Sequence, residues 1–219
     1  MILAIYCAGG LGRKVLDLAR SVDRWEQIVF VDDVTNEKMC HGAKIYRFSD
    51  VRIFYGNIEF VIANGEPAAR SALYRKVKQA GYPLATVVGN KCDVSPTARI
   101  GEGGILFNCY LCPDVRVGNN VVIVSRVDVG HDACIEDHCM INSMSFIGGY
   151  THIGERAYIA PGALLRDRIV VGNDAIIGMG AVVTRDVAAE AVVAGNPAKE
   201  IRKNMGRKVF KPKSRNGGA

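Results

Sequence analysis

The fold is decided by residues 129–148, whose sequence is VGHDACIEDHCMINSMSFIG. An aliphatic residue returns here at every sixth position, and the same period continues far beyond the stretch in both directions. The residues in this frame are Val117, Ile123, Val129, Ile135, Ile141, Ile147, Ile153, Ile159, Leu165, Val171, Ile177 and Val183. A helix repeats every 3.6 residues and a strand every two, so neither produces a period of six.

A hexapeptide repeat is typical of a parallel β-helix, in which three short strands make one coil of about eighteen residues. Aliphatic side chains then fill the axis, and successive coils stack at the strand spacing of ~4.8 Å. Upstream we place Leu111 and Ile105 in the series and expect a shift of one residue near Gly103-Gly104. Beyond the shift the series continues with Ile100, Val94 and Val88. About five coils are therefore predicted.

The first part of the chain alternates between strands and helices instead. The predicted strands are Ile2–Cys7, Ile28–Val31, Phe60–Ala63 and Leu84–Val88, and the predicted helices are Leu11–Ser21 and Pro67–Ala80. Alternation of this kind indicates a small parallel sheet flanked by helices. We predict an α/β N-terminal domain over residues 1–88, an all-β parallel β-helix over residues 89–200, and a basic C-terminal tail over residues 201–219.

Composition narrows the class of protein. The chain has 219 residues, 49% hydrophobic and 23% charged, which is typical of a globular protein. No run of eighteen apolar residues is present, so we expect a soluble, cytoplasmic protein without membrane contact. The net charge of +6 is concentrated in the tail, which we interpret as a solvated end rather than a nucleic-acid site.

The repeat, with glycine after many of its aliphatic positions, resembles the left-handed β-helix of the hexapeptide acyltransferases. The segment Val192–Lys199, VVAGNPAK, resembles the one that closes that helix near coenzyme A. With the N-terminal domain and the motif Gly130-His131-Asp132, nearly the whole chain resembles nucleotide-sugar N-acetyltransferases of the bacillosamine-pathway type. Perosamine N-acetyltransferases and sialic-acid O-acetyltransferases are related to these enzymes.

The resemblance implies an acetyl-CoA-dependent enzyme that acetylates the amino group of a nucleotide-linked amino sugar. UDP-4-amino-4,6-dideoxy-N-acetylglucosamine fits best, in the synthesis of a bacterial glycan. GDP-perosamine and a sialic acid remain alternative acceptors, and a non-catalytic sugar-nucleotide scaffold is the alternative from another class. We also expect a homotrimer, since flat prism faces favour lateral packing and the resembled enzymes place coenzyme A between subunits.

Glycines follow the first predicted strand, where a ligand can approach backbone N–H groups at a helix N-terminus. The third glycine of a dinucleotide fingerprint is missing, so we expect no nicotinamide. The resemblance implies that this loop, an acidic pair at the end of the second strand and one later glycine hold the nucleotide of the acceptor. The residues concerned are Gly9, Gly10, Leu11, Gly12, Asp32, Asp33 and Gly65.

His131 lies outside the aliphatic frame and precedes Asp132. The resemblance implies that His131 is the general base toward the sugar amine and that Asp132 raises its basicity. Neighbouring strand residues point to opposite sides, so a direct contact needs a turn between them, and Asp114, one coil below, is the reserve partner. Gly149 lies one coil above His131. We therefore predict that the backbone N–H of Gly149 donates to the thioester oxygen as the tetrahedral intermediate forms.

For the donor, the resemblance implies contacts between acetyl-CoA and Met140, Gly149, Pro161, Met179 and Gly180. No metal site is predicted. Among the clustered cysteines, Cys109 and Cys139 take inward positions of the repeat whereas Cys112 and Cys134 do not, so four thiolates cannot converge. A metal hydrase on the same fold would need convergent histidines, but His131, His138 and His152 fall in different slots of the hexad.

Overall fold

The computed structural model describes residues 1–210, so the rest of the predicted basic tail lies outside the described residues. The N-terminal domain is a five-stranded sheet of order β3-β4-β2-β1-β5. Its elements are β1 (Ile2–Tyr6), α1 (Gly10–Val22), β2 (Gln27–Val31), β3 (Met39–Cys40), β4 (Ala43–Tyr46), a short 3-10 helix (Asp50–Phe54), β5 (Ile58–Ile62) and α2 (Pro67–Gln79). The predicted α/β domain is confirmed. The strands β3 and β4 and the 3-10 helix were not predicted, and the predicted strand Leu84–Val88 is not part of this sheet.

The glycine loop between β1 and α1 is tightly built. Cys7 adopts the left-handed backbone region, at φ 81°, where the chain leaves β1. A methyl group added at Gly12 would overlap the carbonyl oxygen of Cys7. Gly12 is therefore required because the first turn of α1 packs against this carbonyl.

Residues 87–194 form the predicted left-handed parallel β-helix. The covered face packs against the N-terminal domain and consists of β6 (Val87–Val88), β9 (Ile105–Leu106), β12 (Val122–Ile123), β15 (Met140–Ile141), β18 (Tyr158–Ile159), β21 (Ile176–Ile177) and β23 (Ala191–Ala194). The second face consists of β7 (Asp93–Val94), β10 (Tyr110–Leu111), β13 (Asp128–Val129), β16 (Phe146–Ile147), β19 (Leu164–Leu165) and β22 (Val182–Val183). The third face consists of β8 (Arg99–Ile100), β11 (Arg116–Val117), β14 (Cys134–Ile135), β17 (His152–Ile153) and β20 (Val170–Val171).

The repeat explains this architecture directly. The second residue of each two-residue strand points to the axis, where side chains such as Ile123, Val129 and Ile135 are almost fully buried. At most corners the residue three positions later is left-handed, as at Asn120, Asp132 and His138. We number the corners in chain order. The first corner joins the covered face to the second face, and the second corner joins the second face to the third face. The third corner joins the third face to the covered face of the next coil.

The repeat contains one spacing of five residues instead of six, and the sequence analysis placed it between Ile100 and Ile105, one strand before its actual position. Leu106, not Ile105, pairs with Val88 and Ile123 and belongs to the core around the axis. Ile105 instead packs in the cluster shared with the N-terminal domain. The five-residue step therefore falls between Leu106 and Leu111, because both residues of β9 are aliphatic and the pattern does not show which one faces the axis.

Two predicted boundaries also differ. Leu84 forms only an isolated bridge to Phe60, while β6 pairs with β9, so the β-helix already begins at Val87. At the other end a further strand, β24 (Lys199–Lys203), pairs antiparallel with β23. Residues 201–203 thus belong to a paired strand and not to a tail.

Neither helix within residues 1–210 is long and apolar enough to cross a membrane.

Candidate active site

The His131–Asp132 pair lies at the second corner, where the backbone turns between β13 and β14. Asp132 is left-handed, at φ 59°, which brings the side chains of adjacent residues to the same side. Nδ1 of His131 lies 2.8 Å from Oδ2 of Asp132. A proton on Nδ1 is then donated to the carboxylate, which leaves the lone pair of Nε2 free. The His131 side chain is 57% exposed, so this nitrogen is accessible to a substrate.

Gly149 stacks on His131 as the eighteen-residue coil predicts. A methyl group added at Gly149 would lie 3.0 Å from Nε2 of His131. The predicted oxyanion role does not fit this structure, however, because the Gly149 N–H already donates to Oδ1 of Asp167 at 2.8 Å. The bond belongs to a structural ladder that recurs elsewhere in the helix, for example between Asn119 N–H and Asp137 Oδ1 at 2.7 Å.

Two further side chains at this corner were missed by the sequence analysis. The Tyr150 ring packs edge-to-face on His131 with a centroid distance of 5.0 Å. The guanidinium carbon of Arg168 lies 4.5 Å from the centroid of the Tyr150 ring. Tyr150 and Arg168 occupy the same left-handed position as Asp132 in the next two coils. An eighteen-residue count from Asp132 would have found both.

Asp32, at the carboxyl end of β2, organises the glycine loop. Its carboxylate accepts hydrogen bonds from the backbone N–H groups of Ala8, Val34 and Thr35 at 2.9–3.1 Å. Burial alone would raise the pKa of Asp32, but these three donors outweigh burial and lower it. Asp32 thus joins the loop after β1 to the loop after β2 as a stable anion.

Asp33 points to the other side of the sheet, toward α2. Its carboxylate accepts hydrogen bonds from Tyr6, Lys76 and the backbone of Phe48 at 2.6–2.9 Å. Burial opposes the charged form, but these donors lower the pKa of Asp33. The acidic pair therefore does not act as one unit, and only Asp32 borders the cavity described next.

A cavity of about 370 Å³ lies beside the glycine loop. Gly9 and Asp32 line it on one side, and Thr35 and Cys40 lie on the other. Arg13, from the first turn of α1, supplies a cation that was not predicted, and Glu37 adds a carboxylate to the lining. Among residues 1–210 the space in front of the loop is open, since a methyl group added at Gly9 or Gly10 would meet none of their atoms within 4 Å. Loop amides and a cation suit a phosphate-bearing ligand.

Leu11 and Gly65 take other positions around the loop. Leu11 is half-buried and packs on the cluster between the two domains, so it contributes support rather than a polar contact. Gly65 follows β5, on the opposite side of the glycine loop from β2. The predicted nucleotide residues thus border the carboxyl edge of the sheet, where parallel α/β sheets bind ligands.

Of the five predicted coenzyme residues, Gly149 lies at the second corner, and the other four divide into two groups. Pro161, Met179 and Gly180 stack at the first corner, where the Gly180 N–H donates to the carbonyl of Pro161 at 3.0 Å. Met179 is 77% exposed, so this column offers an open surface. Met140 is buried in the cluster under the N-terminal domain, and its predicted contact with the coenzyme is not supported. The sequence pattern did not show which face that domain covers.

A second cavity, of about 540 Å³, lies lower on the same corner. It is bounded by α1 and by the corner residues Phe107, Ser125 and Ser143. Lys14 and Lys91 bring positive charge to its rim. The first corner therefore combines an open column with a cationic cavity next to the helix that follows the glycine loop.

The three histidines considered for a metal site lie apart, as predicted. His131 is at the second corner, and His138 is buried at the third corner beside Asn120, with Nδ1 3.0 Å from the Asn120 amide nitrogen. His152 lies on the third face, with Nε2 2.8 Å from Oε1 of Glu136. In the described part of the chain, no three His, Cys, Asp or Glu side chains are grouped to hold a metal ion.

Comparison with known proteins defines the class. Residues 2–77 match the PglD N-terminal domain family, and residues 150–185 match the bacterial transferase hexapeptide family. With the fold, these two matches define a left-handed β-helix protein with an α/β N-terminal domain. Each model matches its own part of the chain, the PglD N-terminal domain in the α/β sheet and the hexapeptide model in the β-helix.

Two solved structures are similar over almost their entire length. One is the acetyltransferase domain of PglB from Neisseria gonorrhoeae FA1090 in complex with acetyl coenzyme A. It is 28% identical with a TM-score of 0.87, covering 91% of this chain and 98% of that one. The other is PerB from Caulobacter crescentus in complex with CoA and GDP-perosamine. It is 25% identical with a TM-score of 0.86, covering 91% and 97%.

The curated relatives that match are longer proteins. An acyl-[acyl-carrier-protein]–UDP-N-acetylglucosamine O-acyltransferase from Stutzerimonas stutzeri (strain A1501) is 26% identical over 129 residues. The match covers 59% of this chain and 48% of that protein. The chain thus spans about half the length of the curated relatives it matches.

Proposed function

We propose that the protein transfers an acetyl group from acetyl-CoA to the amino group of a nucleotide-linked amino sugar. The observation that carries the proposal is the His131–Asp132 pair, an accessible imidazole whose Nδ1 is held 2.8 Å from a carboxylate. Its support comes from two sides: a phosphate-compatible crevice in the N-terminal domain, and solved relatives whose complexes contain acetyl coenzyme A or CoA with GDP-perosamine.

The chemistry follows from the geometry at His131. The amine nitrogen attacks the thioester carbonyl carbon, an N–C bond forms, and the C–S bond breaks. Nε2 takes the proton that the amine loses, and Asp132 stabilises the resulting imidazolium through Nδ1. The same proton then passes to the departing thiolate of coenzyme A, which returns His131 to its neutral form. No covalent acyl-enzyme is required.

In the acceptor site, the nucleoside occupies the cavity beside Asp32, and its diphosphate lies on the glycine loop with Arg13. A nucleotide bound there needs only the loop amides, a cation and a hydrogen-bond acceptor for the base. We take UDP-4-amino-4,6-dideoxy-N-acetylglucosamine as the acceptor. GDP-perosamine is the second candidate, since PerB was solved with it.

The donor site lies on the column of Pro161, Met179 and Gly180, which is separated from His131 by the whole second face. The proposal therefore takes the coenzyme column and the base of each site from two different chains. In the proposed homotrimer, a neighbouring copy packs along the second face and places its coenzyme column beside His131. Each site is then shared between two subunits.

The test is a thiol-release assay with acetyl-CoA and a panel of UDP- and GDP-linked amino sugars. We expect release of the coenzyme thiol that depends on one of these sugars and is lost in His131→Ala. Thiol release that does not depend on any amino sugar, or no release with the entire panel, would contradict the proposed function. Sialic acid in the same assay tests O-acetylation.

A further inference from the structure

The C-terminal segment, residues 204–210, returns from the β-helix to the N-terminal domain. The carboxylate of Glu66, just before α2, accepts hydrogen bonds from the backbone N–H groups of Val209 and Phe210 at 2.9–3.1 Å. Asn204 is buried and anchors the start of the segment by donating to the carbonyl of Asp174 at 3.0 Å. The segment is therefore held at both ends.

The far end of this segment lies at a particular place in the sheet. In the sheet, β2 lies next to β1 on one side and β5 lies next to β1 on the other. The direction in which strands are added to the sheet therefore reverses between β1 and β5. Ligands of open α/β sheets bind at such a reversal, outside the carboxyl ends of the strands. The side-chain amide of Asn64 lies 3.6 Å from the sulfur of Cys7, which shows how closely the two strand-end loops approach.

Phe210 borders this crevice without filling it. Its ring lies 3.8 Å from where a methyl group would stand on Gly65. It also packs edge-to-face on Tyr158 of the covered face, with centroids 5.8 Å apart. The residue is nevertheless 55% exposed, and the space in front of Gly9 and Gly10 is open. An exposed aromatic ring is thus fixed beside an open crevice.

The proposed path of the acceptor assigns a role to this ring. The nucleoside cavity lies on the β2 side of the glycine loop, and Phe210 lies on the β5 side. With the diphosphate on the loop, the part of the ligand that reaches the β5 side is the hexose. We infer that Phe210 is a specificity residue that packs on the apolar face of the acceptor hexose, positioned by Glu66, an inference that rests on the proposed function.

The experiment uses the full chain with Phe210→Ala and Phe210→Tyr, and Met205→Ala as the matched control. Met205 is an 83% exposed apolar residue of the same segment. We expect Phe210→Ala to raise the KM for the nucleotide sugar roughly threefold to tenfold, because aromatic packing of this kind is lost. The KM for acetyl-CoA and the calorimetric Kd for UDP or GDP alone should not change. Phe210→Tyr and Met205→Ala should behave like the wild type.

Each other outcome overturns the assignment in a different way. If Phe210→Ala weakens the binding of UDP or GDP alone by the same factor as it raises the KM for the nucleotide sugar, Phe210 contacts the nucleoside base and not the hexose. A lower KM in Phe210→Ala would make the segment a block to the site rather than part of it. Normal turnover by all variants would refute the role of Phe210 and leave the proposed function intact. If the wild type acetylates no nucleotide sugar, the proposed function fails, and the assignment fails with it.

Discussion

The left-handed backbone of Asp132 determines the geometry of the candidate catalytic pair. Successive residues of a strand point to opposite sides, and only the turn at φ 59° brings the carboxylate within 2.8 Å of Nδ1 of His131. The hexad position of His131 was sufficient to predict its place outside the core. The contact with Asp132 needed the corner conformation, and no interaction with the reserve partner, Asp114, is required.

We predict that His131→Ala lowers kcat by roughly 10²–10⁴ with a smaller change in KM, because a positioned base acts mainly in the transition state. Asp132→Asn should lower kcat by a smaller factor, since the imidazole keeps Nε2 and loses only its charged partner. Steady-state kinetics at saturating substrate and neutral pH measure both. A near-normal kcat for His131→Ala would show that another group removes the proton.

Gly149 offers a second test at the same corner. A side-chain carbon at this position would lie 3.0 Å from Nε2, closer than such contacts normally are, so the imidazole must shift. We predict that Gly149→Ala lowers kcat roughly tenfold to hundredfold, since small displacements of a base are costly. Gly206→Ala is the control, because its added methyl group meets no atom within 4 Å. Equal kcat values for the two variants would remove Gly149 from the site.

At the scale of elements, α2 is joined to the third corner of the β-helix by a buried polar cluster. Arg70 is fully buried, and its acceptors within residues 1–210 are uncharged oxygens of Ile62, Asn64 and Asn120. Burial lowers the pKa of Arg70 to about 9. The side-chain amide of Asn120 in turn lies within hydrogen-bond distance of Nδ1 of His138. This cluster holds α2 of the N-terminal domain against the third corner of the β-helix.

The cluster predicts a specific acid sensitivity. Burial lowers the pKa of His138 from 6.5 to about 4, so the unfolded chain binds its proton first as the pH falls. Stability is therefore lost between about pH 6.5 and pH 4, amounting to about 2 kcal/mol between pH 7 and pH 5. Denaturant unfolding at both pH values should show this loss in the wild type and a smaller loss in His138→Asn.

The control for this prediction is His41→Asn, because His41 is also left-handed, at φ 48°, but exposed. It should keep the pH dependence of the wild type. If His138→Asn loses as much free energy of unfolding between pH 7 and pH 5 as the wild type does, His138 is not the group that titrates.

The elements also show how far sequence reasoning reaches. The period of six predicted the β-helix, its three-strand coil and the stacking of Gly149 on His131, because each depends on spacing along the chain. The choice between Ile105 and Leu106, the burial of Met140 and the path of residues 204–210 depend on how the two domains pack. Spacing carries no information about that contact.

At the scale of the whole molecule, the second face bears exposed apolar side chains. Tyr110, Phe146 and Leu164 are 42–45% exposed on adjacent or nearby strands of this face. The face also separates His131 from the coenzyme column. Contact between copies along it would both bury apolar surface and complete the proposed site.

We predict a homotrimer with three times the chain mass of 23.7 kDa. Leu164→Asp should weaken the assembly and acetyl transfer together, whereas Ile53→Asp, at an exposed position of the 3-10 helix in the N-terminal domain, should change neither. Sedimentation equilibrium at micromolar concentration measures the mass. A monomer near 23.7 kDa with full activity would refute the shared site.

The most direct test of acetyl transfer is the mass of the acceptor after incubation with enzyme and acetyl-CoA. We predict that a nucleotide-linked amino sugar gains the mass of one acetyl group in place of one hydrogen. Fragmentation should place that group on the sugar nitrogen, and His131→Ala should yield almost none of the product. An unchanged acceptor, or equal product with His131→Ala, would contradict the assignment of an acetyltransferase site to His131 and Asp132.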